Sequence, residues 1–178
     1  MPQTSVYLAK FSSGPSKRSH FGIFFPNPDC DRADLSNNFK SQATVGSQIH
    51  VVGEPLMTGY MLEMKRHFDV QNDRELRALI RLGTIDGSNL HRDGFLDTMM
   101  RDYVPRSTVE RLADSVAPPP RGQDVCAPID GANTKRCQEW TMEFLTLLTQ
   151  KGLISPEAVV IAQAQRDSPT HGIFGYKA

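Results

Sequence analysis

Thr134-Lys135-Arg136-Cys137-Gln138-Glu139-Trp140-Thr141-Met142-Glu143-Phe144-Leu145 reads as a helix that carries a cysteine in its first turn. Trp140, Phe144, Leu147 and Leu148 recur at helical spacing, and Cys137 shares the face of Trp140, Thr141 and Phe144. Thr134 is the expected N-cap and Gly152 the expected stop. A thiol at a helix start meets unpaired N–H groups and the positive dipole end, which favour thiolate and suit a nucleophile. The plain alternative is a small buried hydrophobe, the usual fate of a free cysteine.

Working outward, five stretches upstream read as strands. Ser5–Phe11 and Ser19–Phe25 come first, and the dense apolar run of the second predicts burial on both faces. Gly46–Gly53 alternates, with Gln48, His50 and Val52 on one face and Ile49 and Val51 on the other. In Gly59–Asp69, Tyr60, Leu62 and Met64 face one way and Met61, Glu63 and Lys65 the other. Arg81–Ile85 is a fifth. The spacing permits a meander from the second strand through the fourth. Glu63, Lys65 and Arg66 read as a solvated strand end, with Glu63 able to face a cleft.

Between these, Asp29–Thr44 reads as a polar surface loop and Asp73–Leu79 as a short helix or turn. Ser88–Tyr103 reads as a weak helix with Leu90, Phe95, Leu96 and Met99 or Met100 on its apolar side. Ser107 with Glu110 makes a capping box, and Ala117–Gly122 is a rigid extended connection. A last helix is expected from Ser155 as N-cap and Pro156 at the first position to about Gln165. The chain, 1–178, reads as one domain with its core over about 5–165 and an aperiodic tail over 166–178.

Composition bounds the function. The 178 residues hold 20 Lys+Arg and 20 Asp+Glu, a balance that speaks against a nucleic-acid surface or a polybasic membrane patch. No apolar run approaches the roughly 20 residues of a membrane span, and the start lacks the pattern of a signal peptide. Cys30, Cys126 and Cys137 are sparse and form no CxxC, so neither a structural zinc site nor a disulfide framework is expected, although a Cys30–Cys126 bridge stays open. This usage fits a reducing, cytoplasmic setting, with no cofactor and no metal.

His20 opens the second strand, His50 lies in the third, and Cys137 starts the later helix. In this order the chain resembles the circularly permuted branch of the papain-like NlpC superfamily, which includes lecithin:retinol acyltransferase-like and PPPDE-like proteins. His20-Phe21-Gly22-Ile23 is similar to the family's "His-Trp-Gly-Ile" strand, and Arg136-Cys137-Gln138-Glu139-Trp140 to its "Asn-Cys-Glu-His-Phe" helix start. Gly46–Val51, Gly59–Arg66 and Cys137–Trp140 also resemble segments of small fungal proteins of this superfamily. Two departures stand out. Arg136 precedes the cysteine where a small polar residue is usual, and the loop from Pro26 to Val45 is long, which points to an unusual cleft or lid.

The resemblance implies an α+β, papain-like fold in which a central antiparallel sheet packs against the helix carrying the cysteine. It implies Cys137 as nucleophile, His20 as its base in a thiolate–imidazolium pair, and His50 as the residue orienting His20. The expected activity is that of a cysteine-dependent hydrolase or acyltransferase acting through a thioester on a small-molecule or peptide amide, ester or thioester. The oxyanion would rest on the Cys137 backbone N–H and a second donor. Arg136 reads as a solvated surface residue that could add positive charge there. Two rivals stand beside this reading: a non-catalytic binding module on the same fold, and a metal-binding domain using His20, His50 and Cys137. His67 and His91 read as structural or exposed, and His171 as a tail residue able to reach any surface.

Overall fold

A computed structural model describes residues 2–92, 94 and 96–176. Six strands form one sheet: β1 (Gln3–Phe11), β2 (His20–Pro26), β3 (Val45–Glu54), β4 (Gly59–Asp69), β5 (Leu76–Asp86) and β6 (Met100–Asp102). Their spatial order is β5-β1-β2-β3-β4-β6 and every neighbouring pair is antiparallel. Three helices follow: α1 (Thr108–Ser115), α2 (Cys137–Gln150) and α3 (Glu157–Gln163). The architecture is α+β, with the expected meander from β2 through β4.

Alternation gives the sheet two working faces. On one, Val6, Leu8, Phe21, Ile23, Ile49, Val51, Leu62 and Met64 pack against Trp140, Phe144 and Leu148 of α2 and against α1 and α3. Trp140 and Phe144 stack at 5.3 Å. On the other, Tyr7, Ala9, Phe11, Phe24, Phe68, Leu76 and Leu79 cluster with Leu35 and Phe39. The long loop after β2 is therefore a cover for the sheet's second face. The Leu35 N–H donates to the Tyr7 hydroxyl (3.1 Å) and the Ser5 N–H to Asp31 (2.7 Å). No residue of that loop lines the main cavity, so the expectation of a lid is not met.

Several local expectations need correction. Leu76–Leu79 belongs to β5, because Leu76 and Leu79 have core partners that a surface helix would forgo. The helix expected over Ser88–Tyr103 is absent among the described residues: a single 3-10 turn spans Gly87–Asn89 and Met100–Asp102 joins β4, while Asp93 and Phe95 fall outside the described residues. Thr134 does not cap α2. Its side chain closes a turn with Asp130, and Arg136 takes the N-cap position. Pro156 takes that position for α3 in place of Ser155, and α3 stops at Gln163. The Ser107–Glu110 capping box forms as read. Gly152 ends α2 at φ +68°, and Leu153 N–H→Leu148 O and Gly152 N–H→Thr149 O complete a Schellman stop. All three cysteines are free thiols.

Arg66, read as solvated, is 1% exposed. It ties β4 to Asp102 of β6 and Glu110 of α1. The alternation is interrupted at this point by a bulge. The β3–β4 register shifts between Gly46 and Gln48, beside His67, whose φ is +51°.

Candidate active site

β2 is the strand around which the site forms. It pairs with β1 from Tyr7/Phe24 to Phe11/His20, but with β3 only from Ile23/Ile49 to Pro26/Gly46. The N-terminus of α2 docks where β2 has no β3 partner. Gln138 Nε2 donates to Ser19 O at 2.9 Å, and the Cys137 thiol faces the same carbonyl at 3.9 Å. The Phe21 backbone also acts on the sulphur, lowering the thiol's pKa. Cys137 thus meets the backbone on both sides of His20.

The two histidines touch. His20 Nε2 and His50 Nδ1 are 2.7 Å apart, and His50 Nε2 lies 3.1 Å from Glu63 Oε1. The Tyr103 hydroxyl donates to Glu63 Oε2 at 3.0 Å. Gln48 Nε2 approaches His50 Nδ1 at 3.4 Å. Gly22 makes room for this amide, since a Cβ there would overlap Gln48 Nε2.

Proton positions follow from the partners. Glu63 is ionised: the His50 hydrogen bond holds its pKa below the usual carboxylate range, against the opposing effect of burial. Burial lowers the pKa of His50, so His50 is neutral and its Nε2–H serves the carboxylate. Its Nδ1 is then an acceptor. His20 Nε2 must carry the proton between the rings, and His20 Nδ1 is left with the basic lone pair.

Burial, then His50 and Lys65, push His20 down to about 3. Burial pushes the Cys137 thiol up to about 11, with the Phe21 backbone acting the other way. The surroundings therefore favour a resting thiol and a neutral imidazole, not the expected thiolate–imidazolium pair. The reason is solvation: the helix-terminus benefit of about 0.3–1 kcal/mol is outweighed when a thiolate 9% exposed loses its water.

One cavity of about 670 Å³ is lined by Cys137, His20, His50 and Glu63, with Tyr60 and Arg136 also in its wall. Arg136 is half-buried; its Nη1 donates to Gln123 Oε1 (2.6 Å) and Lys135 O (2.8 Å), which overturns its reading as a solvated surface residue. His171, Gly172 and Ile173 of the tail complete the wall. Asp167 fastens that tail: it accepts from the Ser19 N–H (2.6 Å) and from Gln138 Nε2 (2.9 Å). His67 and His91 lie outside the cavity. Among the described residues no group of three or more His, Cys, Asp and Glu could hold a metal ion, and no helix is long and apolar enough to cross a membrane.

Residues 6–155 match the model of a family described as a family of unknown function, DUF6540. The chain belongs to that family. The DUF6540 span takes in His20, His50, Glu63, Tyr103 and Cys137 and ends before α3 and the tail. Asp167 and His171 lie beyond the matched span. No curated protein and no solved structure matches the chain.

Tyr103 and Gln138 went unread as site residues. Tyr103 sits in a segment read as a weak helix, and Gln138 looked like an ordinary first-turn polar residue. For Glu63 the alternation signal was present: it shares a face with Lys65 and opposes His50 across the β3–β4 pair.

Proposed function

We propose that the protein is a cysteine-dependent hydrolase or acyltransferase, on a papain-like domain of the permuted NlpC type. One observation carries the reading: the His20–His50–Glu63 hydrogen-bonded chain opens on the cavity that Cys137 also lines. Such a chain fixes a tautomer and supports positive charge on its first ring, which is the work of a base and its orienter.

The steps follow from the neutral resting state. The Cys137 sulphur attacks a carbonyl carbon of an amide, ester or thioester, and its proton passes to His20 Nδ1 as the C–S bond forms. The carbonyl oxygen becomes an oxyanion facing N–H groups of the first turn of α2. The C–O, C–N or C–S bond to the leaving group breaks, and His20 returns the proton to it. Water, an alcohol or an amine then gives its proton to His20, attacks the thioester and frees the thiol. His50 and Glu63 stabilise the imidazolium in both halves.

Intact-mass and peptide mapping after incubation with p-nitrophenyl acetate test this. A transient acetyl group on Cys137, slowed in His20→Ala, is expected. Acetylation spread equally over Cys30 and Cys126, or unchanged in His20→Ala, would sink the reading. The rival binding module draws on the neutral state of both groups, which burial favours at rest; it predicts no acyl adduct on Cys137.

A further inference from the structure

Arg136 stands in an unusual place. The N-cap of a helix prefers Ser, Thr, Asp or Asn, whose oxygens accept from the first-turn N–H groups. An arginine has no acceptor, and its charge sits at the positive end of the dipole, at a cost of roughly 0.3–1 kcal/mol. The helix start is kept by Glu139 instead, whose Oε2 accepts the Arg136 N–H at 2.9 Å.

The guanidinium is nevertheless held in place. Its Nη1 is fixed by Gln123 Oε1, and Gln123 is itself 5% exposed. Gln123 is oriented by donating to Pro120 O (2.7 Å) and accepting from the Lys135 N–H (2.7 Å). A buried amide, locked at both ends, thus anchors one nitrogen of Arg136. Among the described residues the Nε–Nη2 edge makes no hydrogen bond to protein, and none of their Asp or Glu side chains lies within ion-pair distance of the guanidinium. Arg18, by contrast, is paired with Glu139 at 2.8 Å. The cavity wall carries five Lys or Arg against three Asp or Glu, on a chain that is neutral as a whole. Tyr60 lies in the same wall as Arg136 and Cys137.

We propose that the free edge of Arg136 receives a carboxylate of the substrate beside the carbonyl that Cys137 attacks, so that the acyl compounds taken by this site are anionic. The planar Nε–Nη2 fork matches two carboxylate oxygens, which a lysine could not do. The inference rests on the acyl-transfer reading for the word substrate. The anion site beside the sulphur is testable without it.

The probes are iodoacetate, which carries a carboxylate, and iodoacetamide, which does not. The readout is the ratio of their alkylation rates at Cys137 near pH 10, by peptide mapping, in wild type and Arg136→Gln. A charge-assisted contact predicts a ratio about tenfold higher in wild type. Arg136→Lys should keep part of that gain, and Cys126 should show the same ratio in all three proteins. Taking the ratio cancels any change in thiolate fraction that loss of the Arg136 charge brings, and an unchanged urea midpoint of Arg136→Gln shows that the fold is intact. A ratio at Cys137 that ignores Arg136→Gln overturns the inference. So does a Cys137 that reacts with neither reagent, because the sulphur would then be closed to the space Arg136 lines. If the ratio shifts but no acyl adduct ever forms from p-nitrophenyl acetate, the anion site stands and the acyl-transfer reading falls.

Discussion

Glu63 lies behind His50: Oε1 is 3.1 Å from Nε2, and the two side chains are only 5% and 3% exposed. Among the described residues this carboxylate is the one negative charge in contact with the histidine pair. It makes the pair directional, because an ionised carboxylate can only accept. Glu63→Gln keeps the shape and removes the charge. Single-turnover acylation of Cys137 should slow by at least about 10- to 100-fold, the size seen when the carboxylate behind a metal-bound histidine is lost. Tyr103→Phe removes only the donor on Oε2 and should cost less. Equal rates in wild type and Glu63→Gln would take Glu63 out of the chain.

Gly22 lies within His20-Phe21-Gly22-Ile23, and its role is spatial. Gln48 Nε2 occupies the place of the missing Cβ. Gly22→Ala should destabilise by about 1–3 kcal/mol, the usual cost of overpacking, as read by urea unfolding. Gln48→Ala in the same chain should recover part of the loss, since it removes the clashing amide. No recovery would mean that the backbone of β2, and not Gln48, resists the methyl group.

Arg66 decides whether β6 stays on the sheet, and so whether Tyr103 reaches Glu63. Its guanidinium bonds Asp102 through Nε and Nη2 (3.3 and 3.1 Å) and Glu110 through Nη2 (3.1 Å). Arg66→Met would leave the Glu110 and Asp102 carboxylates facing each other in a nearly sealed site, with Arg106 still paired to Asp102 alone. The expected loss is about 3–5 kcal/mol by urea unfolding. Arg66→Met with Glu110→Gln should be less damaging than Arg66→Met alone. If the double variant is the worse of the two, repulsion between the carboxylates is not the cause.

The sheet was legible because alternation is a period-two signal that burial enforces. His50 and Ile49 fall on opposite faces as the pattern requires, and the apolar run of β2 is buried on both sides. The His20–His50 contact was legible only through the resemblance, since nothing local in either strand sets their register. The segment 88–103 misread as a helix because Leu90, Leu96 and Met99 mimic helical spacing, while Met100–Asp102 is recruited to β4 by pairs the segment itself does not contain. Glu139, Gln138 and Asp167 form their network across more than 100 residues to Arg18 and Ser19. Side-chain networks of that reach leave no periodic trace. The opposing influences on the site's protonation were only half legible for a similar reason: the helix terminus is visible in sequence, but the burial that opposes it is a property of the packed whole.

The histidine pair should make stability depend on pH. Both folded pKa values are lowered by burial, His20 to about 3. The unfolded chain takes up protons near the ordinary pKa of about 6.5 while the folded chain stays neutral, so the unfolded state binds more protons between these limits. Stability therefore falls as pH drops below about 6.5, by up to about 1.4 kcal/mol per pH unit for each proton. Both rings line the cavity and both contribute to the slope, with Glu63 working against burial at His50. Urea midpoints between pH 7 and 5 measure the slope, and His50→Gln should flatten it. A slope untouched by His50→Gln would assign the effect to other groups.

Cys137 itself reports whether the site rests neutral. A thiol held near 11 by burial has little thiolate at pH 7, and little even at pH 9. Alkylation by iodoacetamide at Cys137 should then lag behind that at exposed Cys126 throughout this range and rise steadily with pH, without a plateau. In His20→Ala the neutral state predicts no loss of reactivity at pH 7, because no imidazolium was sustaining a thiolate. A preformed ion pair predicts the reverse: Cys137 fast below pH 7, and that reactivity gone in His20→Ala. The second result would mean that the attraction between thiolate and imidazolium exceeds the cost of burying both charges, and it would make the attacking sulphur anionic before substrate arrives.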